Sequence, residues 1–294
     1  MKDKHNAPPE ATQQREKPEK RKIPWGWIYI GATVLAVVIF GIVNQEFQNV
    51  FSTIARLIPS YILIAVALLL AYYIFEGEIM RLLMRSQGIL LSPLTSFKVG
   101  FLGGYYSAIT PSATGGQPMQ SAYLYRDNVP VGSSTAVLII KFFCYQCAFE
   151  ICALASFFFM YQHLSSTVPH MIPLIIAGLI INGGSVIFFP SLFFKPVLRN
   201  ICRLAKWLVG KVKFLRKRNS EAIIDKFEAD FGSYTDDFRN KTKSIIAAIL
   251  LSIPQFILQM SIIYFVFLSF GYQNVNYVEI FAIQSLLQVS VSFM

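Results

Sequence analysis

The sequence predicts an all-α polytopic membrane protein with about five to six transmembrane helices and a re-entrant hairpin. Hydrophobic residues make up 54% of its 294 residues and charged residues only 14%, against about 25% charged residues in an ordinary soluble domain. Apolar segments near the roughly 20 residues that a bilayer requires recur along the chain. The formal net charge of +10 is concentrated in a tail and one loop beside these segments, which is typical of cytosolic loops. We therefore expect membrane phospholipids with anionic headgroups as partners, and no nucleic acid.

The N-terminal tail, residues 1–24, holds charged residues and prolines but almost no large apolar side chain. We expect it to be a disordered basic cytosolic tail. It is too long and too charged for the n-region of a cleavable signal peptide, so the first apolar segment is predicted to remain as an anchor. Residues 25–294 form the predicted helical membrane domain. The predicted location is the bacterial cytoplasmic membrane, crossed several times, with the N terminus in the cytosol.

The predicted spans cover residues 25–43, 58–75, 131–160, 171–194, 245–270 and 277–294. Arg81 and Arg85 follow the second span and Arg126 precedes the third, so cations mark the cytosolic side of both. The segment at residues 97–116 must therefore enter and leave on the same face. Its apolar side chains favour a re-entrant hairpin or a very short pair of helices, and Pro111 with the paired glycines supplies the reversal.

The loop at residues 195–243 contains thirteen Lys and Arg residues and is predicted to form two cytosolic helices. In the first helix, cations recur at helical spacing on one side and apolar residues fill the other, as in an interfacial amphipathic helix. The second helix, residues 221–238, is acidic on its polar side. We expect it to pack on its neighbour as a solvated helix, and a regulatory or partner surface is the alternative.

The sequence contains no recognisable catalytic or metal-binding set. The three histidines fall in the tail or in the predicted outer loop, and no phosphate-binding or dinucleotide motif occurs. Cys144, Cys147 and Cys152 lie inside one apolar segment, where thiols are expected to pack as small apolar side chains. We therefore predict no catalytic residue, no metal and no cofactor.

Polar side chains and glycines within residues 97–130 form the candidate binding site. Hydroxyl and amide groups there can hydrogen-bond a headgroup, and a helix that starts after Gly115 and Gly116 would direct its N-terminal N–H groups at an anion. Arg126 could supply a bidentate phosphate contact, with a topology anchor as the alternative. The predicted substrate-binding residues are Thr110, Pro111, Ser112, Thr114, Gly115, Gly116, Gln117, Gln120, Arg126 and Lys141.

Lys141 and Glu150 are charged residues inside the third predicted span. A charge at the bilayer centre costs about 2.5 to 3.5 kcal/mol on insertion scales, so each should face an interior or a water-filled cavity. Their spacing places them on opposite sides of one helix, so each needs a different partner. For Lys141 the alternatives are snorkelling, a lipid phosphate, or a carboxylate such as Glu76 or Glu78. Glu150 is either structurally paired or protonated, or it couples protons or substrate to transport.

The run from Ser107 to Pro118, SAITPSATGGQP, is followed by Tyr-Leu-Tyr-Arg. It resembles the membrane region of the lysylphosphatidylglycerol synthetase family, also described as flippase-like integral membrane proteins. The resemblance in layout covers about residues 25–294, and TPSATGGQP is its specific part. It implies a membrane domain that moves phospholipids between leaflets. Full synthetases add a soluble acyltransferase domain that transfers lysine from aminoacyl-tRNA to phosphatidylglycerol.

The chain departs from this family pattern in two places. Many relatives have Glu where this chain has Gln117, so a role that needs a carboxylate there is in doubt. A second motif rich in Pro and Gly is expected about where the chain stops, so we expect a truncated C-terminal end. What remains would be half of an inverted-repeat, transporter-like fold, in which Phe97 and Leu102 align with Phe281 and Leu286.

The expected function is to bind and flip phospholipid, either anionic or aminoacylated phosphatidylglycerol. The alternative is the membrane module of a phosphatidylglycerol lysyltransferase, with aminoacyl-tRNA as a partner and roles in lipid metabolism and resistance to cationic antimicrobial peptides. A membrane scaffold or accessory subunit is a third class. Association of several copies of the chain into a homo-oligomer is a further option.

Overall fold

The computed structural model describes Leu35, Ile39 and residues 54–192, 194–211, 220–238 and 241–291. The predicted tail, nearly all of the predicted span at residues 25–43 and the last three residues lie outside this part of the chain. Regular structure in the described part is entirely helical. Its helices are α1 (Pro59–Ser86), α2 (Pro93–Ile109), α3 (Gly116–Arg126), α4 (Val131–Thr167), α5 (Ile172–Ser191), α6 (Lys195–Lys211), α7 (Ser220–Phe238), α8 (Thr242–Ser269) and α9 (Tyr277–Val291).

Four of the described helices, α1, α4, α5 and α8, are long and apolar enough to cross a membrane. This confirms the all-α polytopic fold class. Both α1 and α4 continue beyond the predicted spans at residues 58–75 and 131–160, to Ser86 and Thr167. The last helix, α9, has 15 residues, which is shorter than the roughly 20 residues that a perpendicular span needs.

The longest contact in the bundle is between α1 and α8, which lie antiparallel over their whole length. At one end, the Ile58 backbone N–H donates to the Ser269 carbonyl at 2.9 Å. At the other end, Lys241 Nζ donates to Gln87 Oε1 at 3.2 Å. These bonds join the start of α1 to the end of α8 and the end of α1 to the start of α8. The two helices therefore pack side by side between these points.

The segment around residues 97–116 is confirmed as a short pair of helices, α2 and α3. Ser92 caps the start of α2 by accepting a hydrogen bond from the Thr95 backbone N–H at 3.0 Å, which satisfies one of the free donors of the first turn. The two helices run antiparallel, since Gln120 Nε2 donates to the Val99 carbonyl at 3.2 Å. The hairpin therefore enters and leaves at the same end of the bundle.

The chain reverses at residues 110–115, where Pro111 begins a single 3-10 turn. The Thr110 hydroxyl supports this turn by donating to the Tyr106 carbonyl at 2.7 Å and accepting from the Gly115 N–H at 2.9 Å. Gly100, Gly103 and Gly104 take no part in this reversal, although the sequence predicts that the paired glycines contribute to it. They lie within continuous α2, where tertiary packing outweighs the roughly 1 kcal/mol that each glycine costs a helix.

Two clusters of buried apolar residues make up the core of the bundle. The first cluster joins α1, α2, α3, α4 and α8 and includes Ile79, Met80, Leu83, Met84, Val99, Leu124, Val137, Leu138, Ile140, Cys144 and Ala248. The second joins α4, α5, α8 and α9 and includes Phe149, Ala153, Met160, Ile175, Leu179, Phe256, Met260, Ala282, Leu286 and Val289. Cysteines thus pack as apolar side chains, as the sequence predicts.

The helices α6 and α7 pack against each other and against the start of α4. Phe231 of α7 is buried with Leu198 and Cys202 of α6 and Ala136 of α4. A Cβ added at Gly132 would lie 2.9 Å from the backbone nitrogen of Phe231, so α7 crosses α4 in backbone contact. The prediction that the second loop helix packs on its neighbour is therefore confirmed, while residues 212–219 between the helices lie outside the described part.

Candidate functional site

A buried ion pair joins α4 to α1 inside the bundle. Lys141 of α4 pairs with Glu76 of α1, and their side chains are only 8% and 14% exposed. Two amides complete the group: Lys141 Nζ donates to Gln120 Oε1 at 3.3 Å, and Gln255 Nε2 donates to Glu76 Oε2 at 2.7 Å. Four helices therefore contribute to one polar group, here called the ion-pair group. A buried pair with further hydrogen bonds to both partners is the arrangement that offsets its desolvation.

Of the alternatives left open for Lys141, the structure selects a carboxylate, Glu76. The other carboxylate considered, Glu78, instead binds Arg81 at 2.9 Å within α1. The inference that Lys141 and Glu150 cannot pair with each other is confirmed. Because Lys141 is satisfied inside the bundle, it does not snorkel to the membrane surface.

The ion-pair group forms part of the wall of a cavity of about 660 Å³. Such a volume is within the range of small-molecule sites. The cavity is lined by Tyr72, Tyr73, Glu76, Gly100, Gly103, Gly104, Ser107, Ala113, Thr114, Gly116, Gln117, Pro118, Gln120, Lys141, Phe142, Tyr145, Gln259 and Gln288. Its lining thus comes from both limbs of the hairpin, from the long helices α1, α4 and α8, and from the shorter helix α9.

Glycines of α2 allow the hairpin to approach the ion-pair group. A Cβ at Gly103 would lie 2.1 Å from Gln120 Nε2, and one at Gly104 would lie 2.0 Å from the Tyr73 hydroxyl. A Cβ at Gly100 would come within 2.9 Å of Glu76 Cγ. Larger side chains at these positions would therefore occupy the space of the cavity-lining residues.

The predicted binding residues separate into three groups. Those that line the cavity are Thr114, Gly116, Gln117, Gln120 and Lys141. Thr110, Pro111 and Gly115 instead build the turn between α2 and α3, and the side chain of Ser112 lies outside the described part of the structure. Arg126 is exposed at the end of α3 and does not line the cavity.

Glu150 lies on the far side of α4 from Lys141, beside α5. A Cβ added at Gly183 would lie 3.5 Å from Glu150 Oε1. Its other oxygen, Oε2, is buried and has no hydrogen-bond partner among the described residues. One helical turn away on the same side, Gln146 Nε2 donates to Asn182 Oδ1 at 2.9 Å. Glu150 is therefore remote from the ion-pair group.

From the sequence, several cavity residues were either not predicted or considered only as partners of Lys141. Glu76 was considered only as a counterion of Lys141, although it also ends an apolar run in α1. Tyr145 of α4 donates to Gln259 Oε1 of α8 at 2.6 Å, and Gln255 precedes Gln259 by one helical turn. This spacing of two amides within an apolar helix was a usable signal, because buried amides require partners.

The cavity can bind a polar group that carries charge. Lys141 offers an ammonium group, Glu76 a carboxylate, and the tyrosines and amides offer neutral hydrogen bonds. The start of α3 at Gly116 lies in the cavity wall and has no side-chain cap, so its backbone N–H groups favour an anion. Among the described residues, no group of His, Cys, Asp or Glu is arranged to hold a metal ion.

Comparison with known families gives one match. The family model described as the lysylphosphatidylglycerol synthase TM region matches residues 28–293, which is nearly the whole chain. No curated protein and no solved structure was found to match the chain. The matched range includes every helix that contributes to the cavity.

Proposed function

Because the chain belongs to the family of the lysylphosphatidylglycerol synthase TM region, we propose that it binds phospholipid headgroups in the cavity and moves them between leaflets. The observation that carries this proposal is the buried ion pair of Lys141 and Glu76 in the wall of a polar cavity. Intramembrane charges are costly and mark substrate paths in membrane proteins. The acyl chains stay in the lipid while the headgroup crosses beside the hairpin.

Lys141 is the proposed phosphate-binding residue. In the described structure its ammonium group contacts Glu76 and Gln120, and these acceptors hold it in place when no headgroup is bound. A phosphate oxygen that enters the cavity competes with Glu76 for the ammonium group. The charge-assisted bond to phosphate would replace the charge-assisted bond to Glu76, and the uncapped N–H groups of Gly116 and Gln117 at the start of α3 favour the phosphate.

The proposed substrates are anionic or aminoacylated phosphatidylglycerol. Both carry the phosphate that Lys141 would bind. An aminoacylated headgroup also carries an ammonium group, for which Glu76 is the complementary charge once Lys141 binds the phosphate. The tyrosine hydroxyls and the amides of Gln117 and Gln259, which line the same cavity, would bind the glycerol hydroxyls.

The test is a leaflet-resolved assay in liposomes that contain a fluorescent phosphatidylglycerol. A membrane-impermeant reductant bleaches the outer leaflet, and lipid that crosses later is bleached in a slower phase. We expect intact protein to accelerate this phase, Lys141→Met and Gln117→Ala to slow it, and Arg126→Ala to leave it unchanged, because Arg126 is exposed outside the cavity. Equal rates for intact protein, Lys141→Met and empty liposomes would refute the proposal.

The family description itself favours a second candidate, the membrane module of a phosphatidylglycerol lysyltransferase. In that case the cavity holds phosphatidylglycerol or its lysyl product, and the lysine comes from aminoacyl-tRNA. Extraction of lipids from cells that express the chain distinguishes the two candidates. Appearance of lysylphosphatidylglycerol would favour the lysyltransferase module, whereas flipping without a new lipid species supports the translocase.

A further inference from the structure

The helix α6 exposes a stripe of large apolar side chains. Ile201, Leu204, Trp207 and Leu208, here called the α6 stripe, are between 46% and 57% exposed. The other apolar residues of the helix, such as Leu198 and Cys202, are buried against α7 and α4. The helix α6 therefore has apolar surface on two sides, and among the described residues only one of these sides is covered by other helices.

Three of the five cations of α6, Lys195, Arg199 and Lys206, lie on the side of the helix that faces α7. Lys206 forms an ion pair with Asp225 of α7. Lys195 and Arg199 line a second cavity, of about 410 Å³, together with Asp225 and Glu228. The basic face is thus turned to the acidic face of α7, and these cations do not flank the α6 stripe.

The α6 stripe lies at the level where two candidate spans end. The span α5 ends at Ser191, and α6 begins at Lys195. On its buried side α6 packs against Ala136, in the second turn of α4. The helix α6 therefore lies beside the ends of α5 and α4, at the level where these candidate spans would meet the membrane surface.

We propose that the α6 stripe inserts into the acyl layer of the adjacent leaflet, and that apolar burial rather than the basic face of the helix holds it there. A bilayer interface suits the composition of the stripe, because Trp is enriched at the headgroup level and amphipathic helices bury their apolar face just below it. Lys211, whose Nζ lies 4.0 Å from the centre of the Trp207 ring, extends its charge toward the headgroups. Because apolar burial holds the stripe, we expect insertion into neutral lipid as well as into anionic lipid.

Trp207 provides the measurement. The chain has three tryptophans, and the substitutions Trp25→Phe and Trp27→Phe leave Trp207 as the single emitter in the full-length protein. This protein is reconstituted into phosphatidylcholine vesicles with bromines on the acyl chains near the headgroup, and into the same vesicles with anionic lipid added. We expect the brominated lipid to remove about half of the Trp207 emission in both vesicles, with little quenching by aqueous iodide.

Two other outcomes would overturn the proposal. Quenching by iodide in neutral vesicles, with insertion only in anionic ones, would show that charge holds the helix at the membrane. Protection from both quenchers would show that another protein surface, such as a second copy of the chain, covers the stripe.

Matched variants keep the test specific. Leu204→Lys places a charge in the stripe and should reduce quenching by brominated lipid about twofold. Arg203→Gln, an exposed change on another side of the same helix, should leave the quenching unchanged.

Discussion

Lys141 of α4 and Glu76 of α1, 65 positions apart in the chain, form a buried ion pair beside the cavity. Gln255 and Gln120 bind the two charges from α8 and α3. The pair therefore ties the hairpin to the long helices at one point. A headgroup that displaced Glu76 from Lys141 would act on all four helices at once, which connects the proposed binding site to a conformational response.

The first prediction concerns the stability of this pair. Lys141→Met should destabilise the protein by about 3 to 5 kcal/mol, because it leaves the Glu76 carboxylate buried without its counterion. The double substitution Lys141→Met with Glu76→Gln should recover much of this loss, since no buried charge then remains. Unfolding in detergent measures both. Lys98→Met, which changes an exposed lysine of α2, is the control, and an equal loss for Lys98 and Lys141 would contradict the prediction.

The second prediction concerns the close approach of α2 to the cavity. In Gly103→Ala the new Cβ would lie 2.1 Å from Gln120 Nε2. This distance is too short for a contact, so the flexible end of Gln120 must move. This breaks the contact of Gln120 with Lys141 and narrows the cavity. We expect slower lipid flipping with a stability loss of about 1 to 3 kcal/mol, because both hydrogen bonds of the Gln120 amide, to Val99 and to Lys141, are lost.

Gly184→Ala is the matched control for that variant. No atom lies within 4 Å of a Cβ at Gly184 among the described residues, and Gly184 lies in α5, away from the cavity. If Gly103→Ala and Gly184→Ala flip lipid at the same rate, the hairpin does not shape the path.

The sequence predicts the long helices well because an apolar run of bilayer length has few other structures open to it. Helix ends are harder to predict. The run at residues 58–75 ends at the first charges, yet α1 continues to Ser86, because Glu78 and Arg81 satisfy each other within the helix. The side chains between these charges, such as Ile79 and Met80, are fully buried, so the extra turns gain packing.

Within the candidate site, Lys141 was predictable because a charge in an apolar run requires a buried partner. Its pairing with Glu76 depends on how α4 and α1, which are distant in the sequence, pack together. The sequence alone reduces the partner of Lys141 only to a few alternatives. Arg126 has the right chemistry for a phosphate, but the rotation of the short helix α3 leaves it exposed. The sequence assigned the paired glycines to the reversal of the hairpin, whereas those of α2 allow close contact with neighbouring side chains. Sequence alone does not reveal which neighbour approaches.

The third prediction concerns the turn of the hairpin. Thr110→Val removes the hydroxyl that accepts the Gly115 N–H at 2.9 Å, and this half-buried donor then lacks its partner. We expect a loss of about 1 to 3 kcal/mol in the free energy of unfolding, which is the range for an unsatisfied buried group. Thr114→Val is the control, since its hydroxyl is exposed and bonds only the nearby Pro111 carbonyl. Equal losses for the two variants would show that the turn does not depend on Thr110.

The fourth prediction concerns the docking of α6 and α7 on α4. Burial, followed by the nearby Glu228, raises the pKa of the Cys202 thiol, and only the thiolate reacts with maleimides. At pH 7.5 Cys202 should therefore react about tenfold more slowly than an exposed cysteine, and its rate should rise as the pH approaches the raised pKa. Mass spectrometry of labelled peptides reports this site separately from the cysteines of α4.

The substitution Gly132→Val tests whether docking causes that protection. A Cβ at Gly132 would lie 2.6 Å from Asp230 Cβ and 2.9 Å from the Phe231 nitrogen, and because one of these atoms is backbone, α7 must move away from α4. Cys202 then loses part of its cover, its pKa falls toward the ordinary value, and alkylation at pH 7.5 should accelerate. Gly232→Ala, whose Cβ would approach no described atom more closely than Leu198 Cδ2 at 4.0 Å, should keep the slow rate. Unchanged labelling in Gly132→Val would mean that α7 is not held by its contact with α4.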